Sequence, residues 1–538
     1  MIKIKINIVL FLVFNVFSNV AYSASSEYAI CDAFKSGDSQ NLLLKINSGD
    51  KYYDTKNLIL GFNLEMAQTI KTIGNYRDPE IIKLTTKLKP NALRYPGGTP
   101  ANYFDWQKEA LDEKVIAKHA NKHMRKLLKN QKRNNKGKLP SASLSSYADL
   151  VHEYNIKPFI VLNVFKSIED IKFAIDKVKR HIEKPIYWEL GNEVSNEGYQ
   201  KWIKLKNNKS WSVDGYIERL KFTGNYIKTK YPEDKIGIVA SEMAEMRNPD
   251  NVRTWFTENK REKWDALIFE SADFFDAVIV HPYVYATNKI IDDVDVPCRD
   301  NTKSLFGIKH KAWIMSNVSN LSTLYLKRLD ERFPNKEVWL TEFGIIDQSG
   351  KSKDQKLDKQ TGFRVLSTAA NYLSWLEGYP KITTWLTHGM FEGFDWAHTV
   401  YPDLSYTANG VAYSFVKEFL SNVDEISNGH LSKQIIFPGV DAYKNNDVTS
   451  ITALFGRDRV SNNNSMILAN VSNSKLTIEL PWVASSVRNV SFGWNEIVKP
   501  ARFKDINDFD SQSIKSNKID IKPRSVVIIT QKQALVLH

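Results

Sequence analysis

The stretches WELGNE (residues 188–193) and VWLTEFG (residues 338–344) decide the fold of this chain. Each is an apolar, strand-like run that leads to a glutamate close to a glycine. Retaining cleavage of a glycosidic bond needs two such carboxylates, one as acid/base and one as nucleophile. The pair therefore predicts Glu193 as the acid/base and Glu342 as the nucleophile. A lone glutamate at a strand end would more often be a cap or an ion-pair partner.

Residues 56–425 alternate short apolar runs with longer amphipathic stretches. Because the short runs lack polar alternation, they are typical of buried parallel strands joined by helices. Eight strand–helix units predict an α/β fold of the (β/α)8 TIM-barrel type. The alternative, an open doubly wound sheet, lacks the Gly-x-Gly-x-x-Gly loop that would support it. The predicted barrel strands are residues 57–64, 92–95, 158–164, 185–190, 235–240, 277–282, 337–341 and 382–387.

The chain changes character after the barrel. Strand-like segments recur without helices over residues 426–538, which predicts a C-terminal antiparallel β-sandwich domain. Residues 24–55 contain the apolar stretch LLLKI at 42–46, and this segment is predicted to contribute to the same sandwich. The predicted sandwich strands are residues 434–437, 450–455, 465–471, 476–480, 489–493 and 525–530.

Residues 1–23 have the pattern of a secretory signal peptide. Two lysines precede an apolar run at residues 6–17, and Ala21-Tyr22-Ser23 offers small residues where a signal peptidase cuts. Because the run is too short for a comfortable membrane span, we expect cleavage and no membrane association afterwards. The sequence therefore predicts a secreted protein, extracellular or periplasmic. There, Cys31 and Cys298 either form a disulfide or remain buried thiols.

Polar side chains at the predicted strand ends complete the expected site, because barrel active sites assemble at the carboxyl ends of the strands. Arg94 offers a fixed positive fork to Glu342, and Tyr283 offers a hydroxyl. Asn192 is placed to hydrogen-bond the sugar hydroxyl next to the reacting carbon. For Arg94 a structural ion pair is the alternative, and His281 serves equally as a substrate contact or as a satisfied core histidine.

Aromatic side chains near the strand ends are candidates for stacking on sugar rings. Tyr103 and Trp106 follow a glycine pair that lets the backbone turn close to a ligand, and Trp385 is predicted to form the floor of the catalytic subsite. Ordinary core packing is the alternative for each ring. Asn63 or Glu65, at the end of the first predicted strand, is a further candidate for binding hydroxyls. The predicted substrate-binding residues are thus Asn63, Arg94, Tyr103, Trp106, Asn192, His281, Tyr283 and Trp385.

Several motifs together resemble a known clan of enzymes. The pairing of WELGNE with TEFG resembles the large clan of retaining (β/α)8 glycosidases. Within it, LRYPGGT (residues 93–99) is similar to the second-strand motif of the α-L-arabinofuranosidase and heparanase-like branch. The HPY turn at 281–283 and the closing KPRSVV at 522–527 fit the same clan. The resemblance implies double displacement with retained configuration and no cofactor. Thr99 stands where arabinofuranosidases usually carry Asn, so a pentose substrate does not follow.

The loop after the second predicted strand, about residues 96–145, is rich in basic side chains. Because it follows a strand, it is expected on the active-site face, where a cationic wall attracts sulfated or carboxylated glycans. The formal net charge of +13 fits such a partner. A solvated amphipathic helix on the rim is the alternative. The basic residues of the loop include Lys118, His119, Lys122, His123, Arg125, Lys126, Lys129, Lys132, Arg133, Lys136 and Lys138.

These observations predict an internally cleaving hydrolase of an anionic polysaccharide. Sulfated galactans of the carrageenan, furcellaran and porphyran type come first, glycosaminoglycans or glucuronides second, and neutral galactan, agarose or arabinan third. A non-catalytic glycan-binding protein is a distant alternative, and a transglycosylase would use the same carboxylate pair. Nucleic acid is not expected as a partner. No metal is expected, because the acidic stretch 292–295 lacks the ligand spacing of a calcium loop.

Overall fold

The structure is a computed structural model that describes the chain in separate stretches. The predicted signal at residues 1–23, Cys31, Glu65, the acidic stretch 292–295 and Cys298 lie outside the described residues. The described residues are 42–47, 51–64, 76–119, 122–134, 143–195, 213–241, 258–270, 273–286, 308–347, 361–387, 389–390, 398–399, 404–427, 430–431, 436–438, 447–449, 451–473, 475–493, 496, 498 and 503–531.

Short strands dominate the first part of the described chain, and those that form the barrel are buried along most of their length. They are, in chain order, β1 (Leu42–Asn47), β2 (Tyr53–Asp54), β3 (Ile59–Asn63), β4 (Ala92–Tyr95), β5 (Phe104–Asp105), β6 (Ala110–Leu111), β7 (Lys157–Leu162), β8 (Tyr187–Leu190), β9 (Lys235–Val239), β10 (Ala277–Val280), β11 (Tyr283–Ala286), β12 (Glu337–Asp347) and β13 (Ile382–Thr387).

Eight of these strands close into a parallel barrel. They follow one another in the order β3, β4, β7, β8, β9, β10, β12 and β13, and β13 pairs back to β3. Strand β11 extends the sheet as a parallel neighbour of the far end of β12. The predicted (β/α)8 barrel is therefore confirmed, and each barrel strand coincides with a predicted apolar run to within a few residues. Continuous burial explains why these runs carry no polar alternation.

Helices cover the outside of the barrel, and several begin at a cap. The side chains of Asp78, Ser143, Ser167, Thr361 and Thr407 each accept a hydrogen bond from a first-turn backbone N–H. None of the helices among the described residues is both long and apolar enough to cross a membrane. The helices are α1 (Pro79–Leu88), α2 (Glu113–His119), α3 (Lys122–Asn134), α4 (Leu144–Glu153), α5 (Ile168–His181), α6 (Val213–Lys230), α7 (Glu258–Glu270), α8 (Ile308–Arg332), α9 (Gly362–Leu376) and α10 (Ala408–Ser421).

A second, mainly antiparallel sheet follows the barrel. The strands after the barrel are β14 (Glu425–Ser427), β15 (His430–Leu431), β16 (Ile436–Pro438), β17 (Asp447–Thr449), β18 (Ile451–Asp458), β19 (Asn463–Asn470), β20 (Leu476–Ser491), β21 (Asp510–Ile521) and β22 (Ser525–Thr530). The sheet runs in the order β15, β1, β20, β22, β19, β18, β14 and β2, with β21 paired to β20, and only β1 joins its neighbour β20 in parallel. The predicted C-terminal β domain is confirmed.

Several of the observed strands differ from the prediction. The segments 476–480 and 489–493 belong to one long strand, β20, which bends at register shifts between Glu479 and Ser486. Strand β21 was absent from the predicted set because its side chains are largely exposed and give no apolar pattern. The predicted strand at 434–437 overlaps β16, which pairs with β17 in a separate two-stranded sheet.

Helix α9 connects the two domains. Every residue from Gly362 to Leu376 is buried, because the helix packs between the barrel and strands β18, β19 and β22 of the second sheet. Helix α10 contacts β19 and β22 in the same way. A helix enclosed on all sides loses the polar face that a surface helix needs. The two domains therefore share a hydrophobic cluster that spans barrel, helices and second sheet, while the boundaries near residues 55 and 425 stay predictions.

The floor of the barrel is filled by large side chains. Ile59, Phe159, Ile279, Trp339 and Leu386 point into the barrel and form their own cluster. Strand β9 carries Gly237 at this level, and a Cβ atom there would lie 2.5 Å from the Trp339 ring. The glycine therefore makes room for the indole in the packed floor of the barrel.

Substitution of Gly237 by Ala is expected to lower the thermal unfolding temperature by a few degrees, because the added methyl group overpacks the floor at a cost of about 1–3 kcal/mol. Gly493→Ala is the matched control, since its Cβ would make only an ordinary contact at 3.4 Å with Glu496. Calorimetric scans of both variants check this. Equal unfolding temperatures for Gly237→Ala and the unmodified protein would contradict the packing described here.

Candidate active site

Two carboxylates meet at the carboxyl ends of the barrel strands. Glu193 follows β8, and Glu342 lies within β12 at the same mouth of the barrel. An oxygen of Glu193 lies within 4.8 Å of an oxygen of Glu342. Retaining glycosidases place their carboxyl groups about 5–5.5 Å apart, whereas inverting enzymes need roughly 6.5–9.5 Å to admit a water. The side chain of Glu193 is 21% exposed and that of Glu342 is 6% exposed, so the outer carboxylate is the one open to a leaving group.

Arg94 is the centre of the site. Its side chain is fully buried at the end of β4, and its Nη1 donates to Glu342 Oε1 at 2.8 Å. Its Nε donates to Glu189 Oε2 at 2.7 Å and its Nη2 donates to Glu189 Oε1. Burial lowers the pKa of the Arg94 guanidinium, but the charges of Glu189 and Glu342 outweigh burial and raise it. Arg94 therefore stays cationic and holds two carboxylates at once.

Glu189 has a role that the sequence did not reveal. It lies two residues before Gly191 on β8 and is fully buried, with both oxygens bound by Arg94. A buried charge requires a partner, and a bidentate carboxylate is the best partner for a guanidinium. A charged residue inside an otherwise apolar strand was the signal that could have identified it.

Glu342 receives a second donor from the neighbouring strand. The hydroxyl of Tyr283, at the start of β11, donates to Glu342 Oε2 at 2.7 Å. Together with Arg94 on Oε1, this gives each carboxylate oxygen a donor. Such donors favour the ionised carboxylate over the acid, which is the form that attacks a carbon. The structure thus brings Arg94 and Tyr283 to Glu342, where the sequence analysis placed them.

His281 links the two carboxylates. Its Nδ1 lies 3.1 Å from Glu193 Oε1 and 3.6 Å from Glu342 Oε2, and its Nε2 lies 3.0 Å from Thr341 Oγ1. Burial lowers the pKa of the imidazole, but the negative charges of Glu342 and Glu193 outweigh burial, so its pKa lies above the ordinary value. Both ring nitrogens are occupied within the site, so His281 orients Glu193.

Asn192 and Asn63 complete the hydrogen-bond network around Arg94. Arg94 donates to Asn192 Oδ1 at 2.8 Å and to Asn63 Oδ1 at 2.6 Å. Asn63 Nδ2 then donates to the backbone oxygen of Thr341 at 2.8 Å, so both of its polar groups are engaged in the protein. In contrast, the buried Nδ2 of Asn192 has no acceptor among the described residues. That donor is the one suited to a substrate hydroxyl.

The loop after β8 holds Glu193 in an uncommon backbone conformation. Gly191 has a φ of 92° and Glu193 a φ of 47°, a region that non-glycine residues rarely adopt. The Asn102 side chain fixes this turn by accepting from Asn192 N at 3.1 Å and donating to Asn192 O at 2.7 Å. Backbone strain held by surrounding hydrogen bonds is typical of functional positions.

None of the three aromatic residues predicted to stack on sugar rings presents an exposed ring face. Trp385 lies on β13 beside Leu386, which points into the barrel, so Trp385 points outward and is fully buried between barrel and helices. The prediction that it forms the floor of the subsite is wrong, because side chains alternate along a strand. Tyr103 and Trp106 are 3% and 4% exposed, so neither presents a free ring face. Trp106 instead lines a cavity of about 150 Å³ with Lys166 and other polar residues.

A metal ion does not suit this site. Glu193, His281 and Glu342 form the one cluster of possible ligand atoms within the described residues. However, Arg94 already places a positive charge 2.8 Å from Glu342, and it would repel a second cation. His281 also uses both nitrogens in hydrogen bonds. The arrangement fits acid–base and nucleophilic chemistry carried by side chains alone.

Comparison with known proteins gives a fold but no family. The sequence matches no family model and no curated protein. Among solved structures, α-L-arabinofuranosidase from Thermotoga maritima is similar with a TM-score of 0.61 at 11% identity, covering 92% of this chain and 100% of that one. The GH51 arabinofuranosidase from Xanthomonas axonopodis pv. citri gives 0.62 at 10% identity, covering 91% and 99%.

A Paenibacillus polymyxa xyloglucanase of GH family 44 is similar with a TM-score of 0.56 at 10% identity, covering 91% of this chain and 100% of that one. These neighbours span both domains, so the arrangement of barrel and β domain is shared as a whole. The expected resemblance to the arabinofuranosidase branch is confirmed at the level of the fold. At such low identity, the chemistry has to be argued from the site itself.

Substitution of Glu189 by Gln is expected to lower kcat/KM at least tenfold and to lower the unfolding temperature. It keeps the shape of the side chain but leaves Arg94 with half of its buried compensating charge, and breaking a buried pair costs about 3–5 kcal/mol. Glycosidase assays and thermal scans check this. Glu418→Gln is the matched control, because it removes the charge of another ion-paired glutamate. Glu418 on α10 lies 3.1 Å from Arg488 on β20. Full activity in Glu189→Gln would contradict the role of the Arg94 network.

Proposed function

We propose that this chain is a retaining glycoside hydrolase that cleaves an anionic polysaccharide. The observation that carries the proposal is the pair Glu193 and Glu342, whose oxygens lie within 4.8 Å of each other at the mouth of the barrel. Glu342 is held by Arg94 and Tyr283, and Glu193 is more exposed and bound by His281. The two carboxylates thus have different surroundings, which separates nucleophile from acid/base.

The chemistry follows from these positions in two steps. First, Glu342 attacks the anomeric carbon, the bond to the leaving oxygen breaks, and Glu193 gives its proton to that oxygen. Next, Glu193 takes a proton from water, whose oxygen attacks the same carbon and displaces Glu342. The product keeps the original anomeric configuration because two inversions occur. The free Nδ2 of Asn192 would donate to the hydroxyl beside the reacting carbon in both steps.

Helix α3 supports a negatively charged substrate. This helix belongs to the insertion between β4 and α4, on the side where β4 ends. Met124 is buried and faces the core, while Lys122, Arg125, Lys126 and Lys129 are exposed. Among the described residues no carboxylate pairs with these four side chains. Lys132 in the same helix does pair, with Glu113. A row of cations without carboxylate partners, in an insertion that follows a barrel strand, favours a polyanion as substrate.

Within that class we propose a sulfated galactan of the carrageenan, furcellaran or porphyran type, cleaved internally. Glycosaminoglycans and glucuronides are the second choice, since their carboxylates and sulfates meet the same cationic helix. Secretion is part of the proposal and rests on the signal pattern of residues 1–23. A polymer too large to enter a cell has to be cut outside it.

A neutral glycan is the competing candidate. The similar structures are named as arabinofuranosidases and as a xyloglucanase, and these names favour neutral sugars such as an arabinan. The catalytic carboxylates would act in the same way on such a chain. Only the contribution of α3 differs between the two candidates, so the charge of the best substrate decides between them.

Wild-type enzyme is expected to release reducing ends from one or more members of a panel of carrageenans, porphyran, agarose, heparan sulfate, hyaluronan and arabinan. Glu342→Ala, with an unchanged unfolding profile, is expected to lose this activity by several orders of magnitude, because it removes the nucleophile. Glu193→Ala is expected to lose it on polymers while still attacking dinitrophenyl glycosides, whose leaving group needs no proton. A reducing-sugar assay and chromatography of the products provide the measurements.

The outcomes of this assay separate the proposals. Activity that persists in Glu342→Ala would contradict the assigned nucleophile. Longer chains in place of new ends would indicate transfer, and binding without any product would indicate a glycan-binding protein. Cleavage of neutral polymers alone would keep the mechanism and reject the anionic substrate.

The double substitution Lys126→Gln, Lys129→Gln is expected to raise KM on a charged polymer several-fold and to leave kcat and small aryl glycosides unchanged, because the helix attracts the polymer at long range. The effect should shrink in about 1 M salt, where charges are screened beyond roughly 3 Å. Lys515→Gln, Lys518→Gln is the matched control, since both lysines are exposed on β21. Equal losses on the polymer and on a neutral glycoside would contradict the electrostatic role.

A further inference from the structure

Thr341 lies behind the histidine that contacts the acid/base. Its Oγ1 is 3.0 Å from His281 Nε2, and the other ring nitrogen is 3.1 Å from Glu193 Oε1. The Thr341 side chain is fully buried. We propose that the Thr341 hydroxyl positions His281 and lets it hold Glu193 in both of its protonation states. The inference rests on the proposed function, and Thr341 is a positioning residue because it acts through His281.

The catalytic cycle requires a versatile partner for Glu193. When Glu193 is ionised, it accepts a hydrogen bond from His281 Nδ1–H. When Glu193 is protonated and its O–H has not yet turned to the leaving oxygen, that O–H donates to a bare Nδ1, and the neutral ring then carries its proton on Nε2. The group facing Nε2 therefore has to donate in the first state and accept in the second. A hydroxyl does both, whereas a carbonyl only accepts and an ammonium only donates.

The charged groups around the ring add a third state. Glu193 and Glu342 face His281 at 3.1 and 3.6 Å, and the positive charge of Arg94 opposes them. The balance raises the pKa of the imidazole, which favours the imidazolium over the neutral ring. In that form both nitrogens donate, and the hydroxyl of Thr341 accepts. One hydroxyl thus serves every form that His281 takes.

The hydroxyl is also fixed in space. The backbone oxygen of Thr341 accepts from Asn63 Nδ2 at 2.8 Å, and Asn63 Oδ1 accepts from Arg94. Thr341 directly precedes Glu342 on β12. Nucleophile and histidine support are therefore adjacent residues on one strand, anchored to the same arginine.

Thr341→Val is the decisive substitution because it keeps the shape and removes the hydroxyl, and Thr341→Ser restores it. On a glycoside with a poor leaving group, Thr341→Val is expected to lower kcat/KM about tenfold, the effect of one lost hydrogen bond in a buried network, and to shift the pH profile. A dinitrophenyl glycoside, which needs little acid assistance, is expected to change little. Thr341→Ser is expected to stay within about threefold of wild type.

Equal losses on both glycosides, an unchanged pH profile, or a folded Thr341→Ser as impaired as Thr341→Val would overturn the inference. A second readout needs no substrate. The ring ¹⁵N signals of His281, assigned with His281→Gln in histidine-labelled protein, are expected to shift in Thr341→Val, and unshifted signals would overturn the contact. Failure of the proposed function would give a different result. Wild type and Glu342→Ala would then be equally inactive on every glycan.

Discussion

The buried guanidinium of Arg94 is the interaction on which the site depends. It binds Glu189 on β8, Glu342 on β12 and Asn63 on β3 from its own place on β4, so one side chain ties four barrel strands together across the mouth. The charges explain why the network persists. A buried arginine alone would be costly, and a second carboxylate lets Arg94 orient Glu342 while Glu189 takes up part of its charge. Arg94 and Tyr283 thus give each oxygen of Glu342 a hydrogen-bond donor, which favours its carboxylate form.

The barrel supplies the rigidity that this network needs. The strand ends are fixed by parallel pairing and by the packed floor around Trp339, and helix α9 is enclosed between the barrel and the second sheet. Side chains anchored on such strands hold their spacing more accurately than side chains on loops. The loop after β8 is the exception, and there Asn102 fixes the turn that presents Glu193. Insertions such as α3 lie outside this rigid framework, and in the proposed function they select the substrate.

Much of this arrangement could be predicted from the sequence, and the failures have physical causes. Continuous apolar runs marked the buried barrel strands, and the residues at their ends marked Glu193, Arg94 and Glu342. The sequence analysis misplaced Trp385 because a shift of one residue along a strand turns a side chain from the barrel interior to the helix layer. Glu189 went unnoticed because its role exists only once Arg94 arrives from another strand. Strand β21 was not predicted because its largely exposed side chains carry no apolar pattern. Patterns within one segment were readable, whereas contacts between distant segments were predictable only where both residues lie at strand ends, as for Arg94 and Glu342.

The central claim is that Glu342 forms a covalent bond with the sugar. Glu193→Ala treated with a dinitrophenyl glycoside of the cleaved sugar tests it most directly, because the first step needs no acid while the second lacks its base, so the intermediate accumulates. Peptide mapping by mass spectrometry after rapid acid quench is then expected to find one glycosyl unit on the peptide that contains Glu342. An unmodified Glu342 peptide would contradict this claim if the product has inverted configuration. It would also do so if the sugar is attached to another residue.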